Sequence, residues 1–213
     1  MLEKTPLEKI ENLLRNNNDF SIRQTFGHPF VDFRISHVGE TFEKMMGNSE
    51  SFIPSLKLLY REFMTNFSHQ FHSQNVSEDA IYGRVARMWA SLTREWHAYY
   101  LLLKIGYENN LNGEDIVRND HLDTFKGIDV YLINRRAESE SLKIDILQST
   151  KRAAFFRKKK DSIRVKDQDI PGKKYTLLLG EDYPDRTKKI NEWYLLNDKY
   201  AKRIINHFIK TIK

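Results

Sequence analysis

The sequence predicts an α/β protein in which a small mixed sheet is flanked by helices and preceded by a helical N-terminal half. Three stretches of distinct spacing carry that reading. Apolar residues recur at helical spacing as far as Gly106, at a spacing of two beyond Gly127, and at helical spacing again beyond Pro184. No repeat, low-complexity tract or long linker breaks the chain. It is therefore expected to be a single domain over 1–213, mainly helical over 1–112 and sheet-containing over 113–213.

The first helix has its start written out. Thr5-Pro6-Leu7-Glu8 supplies a hydroxyl cap, a proline at the first helical position and a glutamate three residues after the cap. Leu7, Ile10, Leu13 and Leu14 then form one face, and Asn16-Asn17-Asn18 ends the run. Residues 19–53 are mixed, with a turn at Phe26-Gly27-His28-Pro29-Phe30, a short alternating strand at Val31-Asp32-Phe33-Arg34-Ile35 and a breaker at Met46-Gly47-Asn48. Over 54–71, Leu56, Leu59, Phe63 and Phe67 are helically spaced. The longest stripe follows through Ile81, Val85, Met88, Leu92, Trp96, Tyr99 and Leu103, with Gly106 as its stop. Large aromatics at this spacing read as core.

Beyond Gly127, Ile128, Val130 and Leu132 alternate with Asp129, Tyr131 and Ile133, which predicts a strand. A polar connection over 135–141 leads to a second strand, Leu142-Lys143-Ile144-Asp145-Ile146-Leu147-Gln148. Residues 175–179 form a third, after the turn Pro171-Gly172 and before Gly180. The last helix is expected to begin near Pro184-Asp185 and to carry Ile190, Trp193, Tyr194, Ala201, Ile204, Ile205 and Phe208 inward.

A chain of 213 residues is long enough to bury a substantial core without a crosslink. It has no cysteine, which excludes disulfides, thiolate metal sites and cysteine nucleophiles and fits a cytoplasmic location. No stretch approaches the roughly 18 apolar residues of a membrane span, and Met1-Leu2-Glu3-Lys4-Thr5 does not open a signal peptide, so no membrane association is expected. The net charge of +6 is unevenly spread: residues 151–213 hold 18 Lys and Arg against 8 Asp and Glu, whereas 1–150 hold 17 against 21. A basic last third is what a surface facing a polyanion requires, because each neutralised phosphate releases counterions. A solvated lysine-rich face would have the same composition.

Two aspartates are placed for chemistry. Alternation sets Asp129 and Asp145 among branched apolar residues on consecutive strands, where an unpaired carboxylate loses hydration. A hard divalent cation such as Mg2+ would offset that loss, taking oxygen ligands from both strands while keeping water and phosphate as further ligands. The plainer alternative is that both face solvent or pair with a lysine such as Lys143. After the second strand, residues 151–160 hold six basic side chains, Lys151, Arg152, Arg157, Lys158, Lys159 and Lys160, on a short helix capped by Ser149 or Thr150. Phe155 and Phe156 would dock inward while the basic groups hold phosphate.

Other chemistries lack their residues. The seven histidines are scattered, and His69 and His72 have no third ligand at zinc spacing. Phosphate-binding glycine loops, a serine elbow and a dinucleotide fingerprint are all missing from the sequence.

The order of these features resembles the restriction-endonuclease-like, or PD-(D/E)XK, nucleases. In that family a strand with aspartate precedes a strand bearing an acidic residue and, two positions on, a lysine. Asp123-Thr124-Phe125-Lys126-Gly127-Ile128-Asp129-Val130 is similar to the first motif and 142–150 to the second, and Glu95 in Thr93-Arg94-Glu95-Trp96 is similar to a glutamate on the preceding helix. The likeness covers about residues 84–160. It departs from the family at the lysine, where this chain has Leu147. Gln148 would substitute if a bulge shifted the register, and Lys143 or Lys151 could otherwise reach in. The resemblance implies a Mg2+-dependent endonuclease acting on double-stranded DNA, with Asp129 and Asp145 as metal ligands, Glu95 assisting, and a homodimer matching palindromic sites. The alternatives are a DNA- or RNA-binding protein without catalysis, using 151–160, and an interaction module for an acidic protein.

Overall fold

The computed structural model describes residues 5–17, 37–47, 52–72, 76–118, 128–149 and 170–212. The expected turn and strand at 26–35, the segment 123–127 and the basic residues 151–160 lie outside them. The class is α/β, with a mixed sheet and helices dominating the N-terminal half. Two compact units divide at Met1–Thr93 and Arg94–Lys213, a boundary inside the longest helix.

The first unit is helical among its described residues: α1 (Pro6–Asn16), α2 (His37–Met45), α3 (Leu56–Phe67), α4 (His69–His72) and the first half of α5 (Glu78–Glu108). α1 begins as its sequence specifies. The Thr5 hydroxyl accepts the Glu8 amide, and the Glu8 carboxylate accepts the Thr5 amide at 2.8 Å. Ile10 and Leu14 are the buried part of its apolar face. Gly47, at φ +81°, follows α2 in a left-handed conformation that glycine adopts without steric cost. The Ser55 hydroxyl caps α3, which buries Leu56, Leu59 and Phe63. Trp89 of α5 is fully buried, and its indole N–H donates to the Pro54 carbonyl at 2.7 Å.

α5 does not stop at Gly106 but runs on to Glu108. A side chain at Gly106 would meet Ile116 Cδ1 at 2.4 Å, so this glycine permits a close approach rather than ending the helix. The inward face also differs from the expected stripe. Ile81, Val85 and Leu92 are buried, but beyond Arg94 the buried apolar residues are Ala98, Leu101, Leu102 and Ile105. Trp96, Tyr99 and Leu103 are half-buried, and Trp96, Tyr99 and Tyr100 make ring contacts with one another.

The second unit holds a four-stranded sheet in the order β1 (Ile116–Val117), β2 (Val130–Leu132), β3 (Leu142–Gln148), β4 (Lys173–Leu179). The first three strands run antiparallel, and β4 is parallel to β3 in one-to-one register from Leu142↔Lys173 to Gln148↔Leu179. Val130, Leu132, Ile144, Ile146, Leu177 and Leu179 are buried. The buried Asn134 secures the β2–β3 connection: its amide N–H donates to Ser141 Oγ, its side-chain oxygen accepts the amides of Arg136 and Ala137, and its side-chain nitrogen donates to the Thr211 carbonyl.

The chain beyond Pro184 corrects the sequence reading. The last helix, α6, starts only at Asp198 and runs to Ile212, and the residues before it form an antiparallel hairpin of β5 (Thr187–Ile190) and β6 (Trp193–Leu196). Ile190, Trp193 and Tyr194 recur at three- and four-residue steps only because a two-residue turn at Asn191-Glu192 separates paired strands. Asn191 has φ +50°, a conformation asparagine tolerates better than most residues. Ala201, Ile204, Ile205 and Phe208 are buried from α6 as expected.

Candidate functional site

β3 carries Asp145 at its centre, between the buried Ile144 and Ile146. Asp129 sits at a bend immediately before β2, not within the strand. Its amide donates to the Ile144 carbonyl at 2.9 Å although Val130 is the ladder partner of Ile144. Two residues of one strand thus oppose one of the other, the arrangement of a β-bulge. The Asp129 carboxylate turns along β3 and accepts the Ile146 amide at 2.5 Å. Asp129 is therefore bonded to both residues that flank Asp145. Each aspartate is 5% exposed.

Two arginines stand in the same unit. Arg94, at 6% exposure, donates from Nε to the Tyr194 carbonyl of β6 at 3.2 Å and from Nη2 to Gln148 Oε1 at 3.0 Å. It ties the end of β3 to the hairpin. Burial pushes the Arg94 guanidinium below its ordinary range, while the neighbouring Glu95 and Asp129 charges act in the opposite direction. Arg118, its side chain 2% exposed, lies 3.7 Å from the Glu95 carboxylate and stacks over the Trp96 ring at 4.3 Å from the centroid. Lys143 pairs with Tyr131 across the ladder, and its ammonium donates to the Ile170 carbonyl at 3.0 Å.

The structure thus brings Asp129, Asp145, Arg94 and Gln148 to one region of the sheet and sets Glu95 against Arg118. No extra residue in β3 shifts Gln148 into the place of Leu147, because the β3–β4 register is unbroken. The irregularity is at Asp129 instead. Lys151, Arg152, Arg157, Lys158, Lys159 and Lys160 lie outside the described residues.

Compared with protein-family models, with curated proteins and with solved structures, the chain matches none.

Among the described residues, no group of three or more His, Asp or Glu side chains is spaced to hold a metal ion. Asp129, at the bend before β2, and Asp145, within β3, offer only oxygen donors, the donor type that suits a hard cation such as Mg2+. No helix among the described residues is long and apolar enough to cross a membrane.

Sequence reasoning passed over Arg94 and Arg118. For Arg94 the signal was present, since Arg94-Glu95 interrupts an apolar helical stripe with two adjacent charges. Arg118 gave none, because a lone arginine after a two-residue strand resembles any solvated loop residue.

Proposed function

We propose that this protein is a Mg2+-dependent DNA endonuclease of restriction type, acting on double-stranded DNA as a homodimer. The observation that carries the reading is the clasp of Asp129 around the two neighbours of Asp145, which holds a buried aspartate at the bend before β2 next to the strand segment that carries a second buried aspartate. When bound, Mg2+ would lower the pKa of an attacking water and offset charge developing on the phosphoryl oxygens. Asp129 and Asp145 would hold it. The Ile146 amide fixes one Asp129 oxygen, so the carboxylate is oriented before any ligand arrives. Gln148 does not stand in the place of the family lysine, and the Arg94 guanidinium that holds it supplies positive charge near Asp129 instead. The basic residues of 151–160 supply backbone contacts that carry no sequence information.

A second reading has its own observation. Arg94 and Arg118 already place positive charge beside Asp129 and Glu95, so the carboxylates have a structural use without a cation. On that reading the chain is a DNA- or RNA-binding protein that uses 151–160 and does not cut.

Incubating the full chain with mixed-sequence duplex DNA in Mg2+ and in EDTA separates the two. Fragments that form only with Mg2+, and that disappear in Asp145→Asn, support the endonuclease. Salt-sensitive binding with intact DNA in every lane replaces it with the second reading.

A further inference from the structure

Residues 170–212 hold nine Lys and Arg against five Asp and Glu. Within them the β5–β6 hairpin has two unlike faces. Lys188, Ile190, Trp193 and Leu195 share one face by register, and its three apolar members are buried. The other face carries the directly opposed pairs Thr187–Leu196, of which Leu196 is buried, and Lys189–Tyr194. Lys189 is exposed, Tyr194 is half-buried, and the ammonium stands 5.4 Å from the centre of the ring. Such a pair holds a lysine extended over an aromatic instead of leaving it to sample many rotamers.

The pair is also fixed in position. The Tyr194 carbonyl accepts Arg94 Nε, and the same guanidinium holds Gln148, three residues beyond Asp145. Tyr194 is thus tied through its backbone to the arginine that also holds the end of β3.

We infer that Lys189 and Tyr194 form a nucleic-acid backbone contact, in which the Lys189 ammonium takes one phosphate and the Tyr194 ring packs on the adjoining sugar. The inference rests on the nucleic-acid reading above and extends it to residues outside 151–160. Charge argues for this occupant over the described C-terminal stretch as a whole, where residues 170–212 are net positive, a balance that suits a polyphosphate. A flanking cation–aromatic cluster, Arg186 over Tyr183 at 5.0 Å and over Tyr200 at 5.2 Å, repeats the same chemistry near the base of the hairpin.

The test is the salt dependence of binding by the full chain, measured on a fluorescent duplex in EDTA so that cleavage does not interfere. Lys189→Ala should weaken binding and lower the slope of log affinity against log salt by about 0.9, the loss of one phosphate contact. Tyr194→Ala should weaken binding about five-fold or more, and Tyr194→Phe should restore it, since the ring and not the hydroxyl makes the contact. Thermal melts of each variant identify any that fail to fold, and Lys189, being exposed, provides the safe variant. Wild-type slope and affinity in Lys189→Ala overturn the inference while leaving the nucleic-acid reading intact. Absence of binding by the wild type at low salt overturns both. If polyglutamate displaces the duplex at equal charge concentration, and Lys189→Ala weakens polyglutamate binding equally, the surface serves an acidic protein and the inference fails.

Discussion

The Asp129 carboxylate accepts the Ile146 amide at 2.5 Å, and so a side chain completes the strand pairing where β2 has ended. A bond that regular pairing would give to a backbone carbonyl is made instead by a carboxylate. This fixes Asp129 beside Asp145 whether or not a ligand is present.

That arrangement separates two substitutions. Asp129→Ala leaves the Ile146 N–H buried without its acceptor and should cost about 1–3 kcal/mol. Asp129→Asn keeps an oxygen acceptor and should cost clearly less. Urea denaturation followed by tryptophan fluorescence measures both, and equal midpoints for Ala and Asn would show that the bond contributes nothing.

Arg94 is expected to be the most sensitive polar position in the second unit. Arg94→Met preserves much of the volume but removes the charge facing Glu95 and Asp129 and the donors to Tyr194 and Gln148. Breaking a buried charge arrangement from one side costs about 3–5 kcal/mol. Arg94→Lys keeps the charge without the fork and should fall between Met and wild type. A denaturation midpoint unchanged in Arg94→Met would remove Arg94 from the account.

How much of this was legible in the sequence differs from element to element. β3 was readable at its full length because Leu142, Ile144 and Ile146 alternate without a break, and α1 because its cap is local chemistry. Tertiary context hid the rest. The β5–β6 hairpin looked helical because Ile190, Trp193 and Tyr194 happen to fall at three- and four-residue steps; Asn191 was the one residue that could have marked its turn. Beyond Arg94 the buried face of α5 departs from the stripe that fits its first half, a change that periodicity averaged over the whole helix cannot register. Asp129 and Asp145 were legible as a candidate pair, but the bend at Asp129 was not, since no glycine or proline next to it announces one.

Gly172 bears on the start of β4. Its φ of +120° lies outside the range of ordinary side chains, and an added Cβ would stand 2.6 Å from the Ser141 carbonyl oxygen, which accepts the Lys173 amide at 2.7 Å. Gly172→Ala should therefore destabilise the parallel β3–β4 pairing by about 1–3 kcal/mol. A thermal midpoint within error of wild type would contradict the strain.

Tyr175 predicts a pH effect. Its hydroxyl shares a hydrogen bond with that of Tyr200, and burial first, then this bond, raises its pKa above the ordinary tyrosine value of about 10. A raised folded-state pKa means that the folded protein keeps a proton which the unfolded chain releases above pH 10. The contribution is complete below that pH and is lost as pH rises toward the folded value. Stability of the wild type should thus fall more steeply above pH 10 than that of Tyr175→Phe, as urea midpoints at several pH values would show; parallel curves would contradict it.

The most direct measurement is the stoichiometry of a divalent cation on the full chain, read by Mn2+ titration with electron paramagnetic resonance and displaced by Mg2+. The account predicts one ion per chain that Mg2+ competes away, with affinity lost in both Asp129→Asn and Asp145→Asn while their circular dichroism stays that of the wild type. Mn2+ binding equal in wild type and both variants, or no bound ion in the wild type at millimolar concentration, would contradict it.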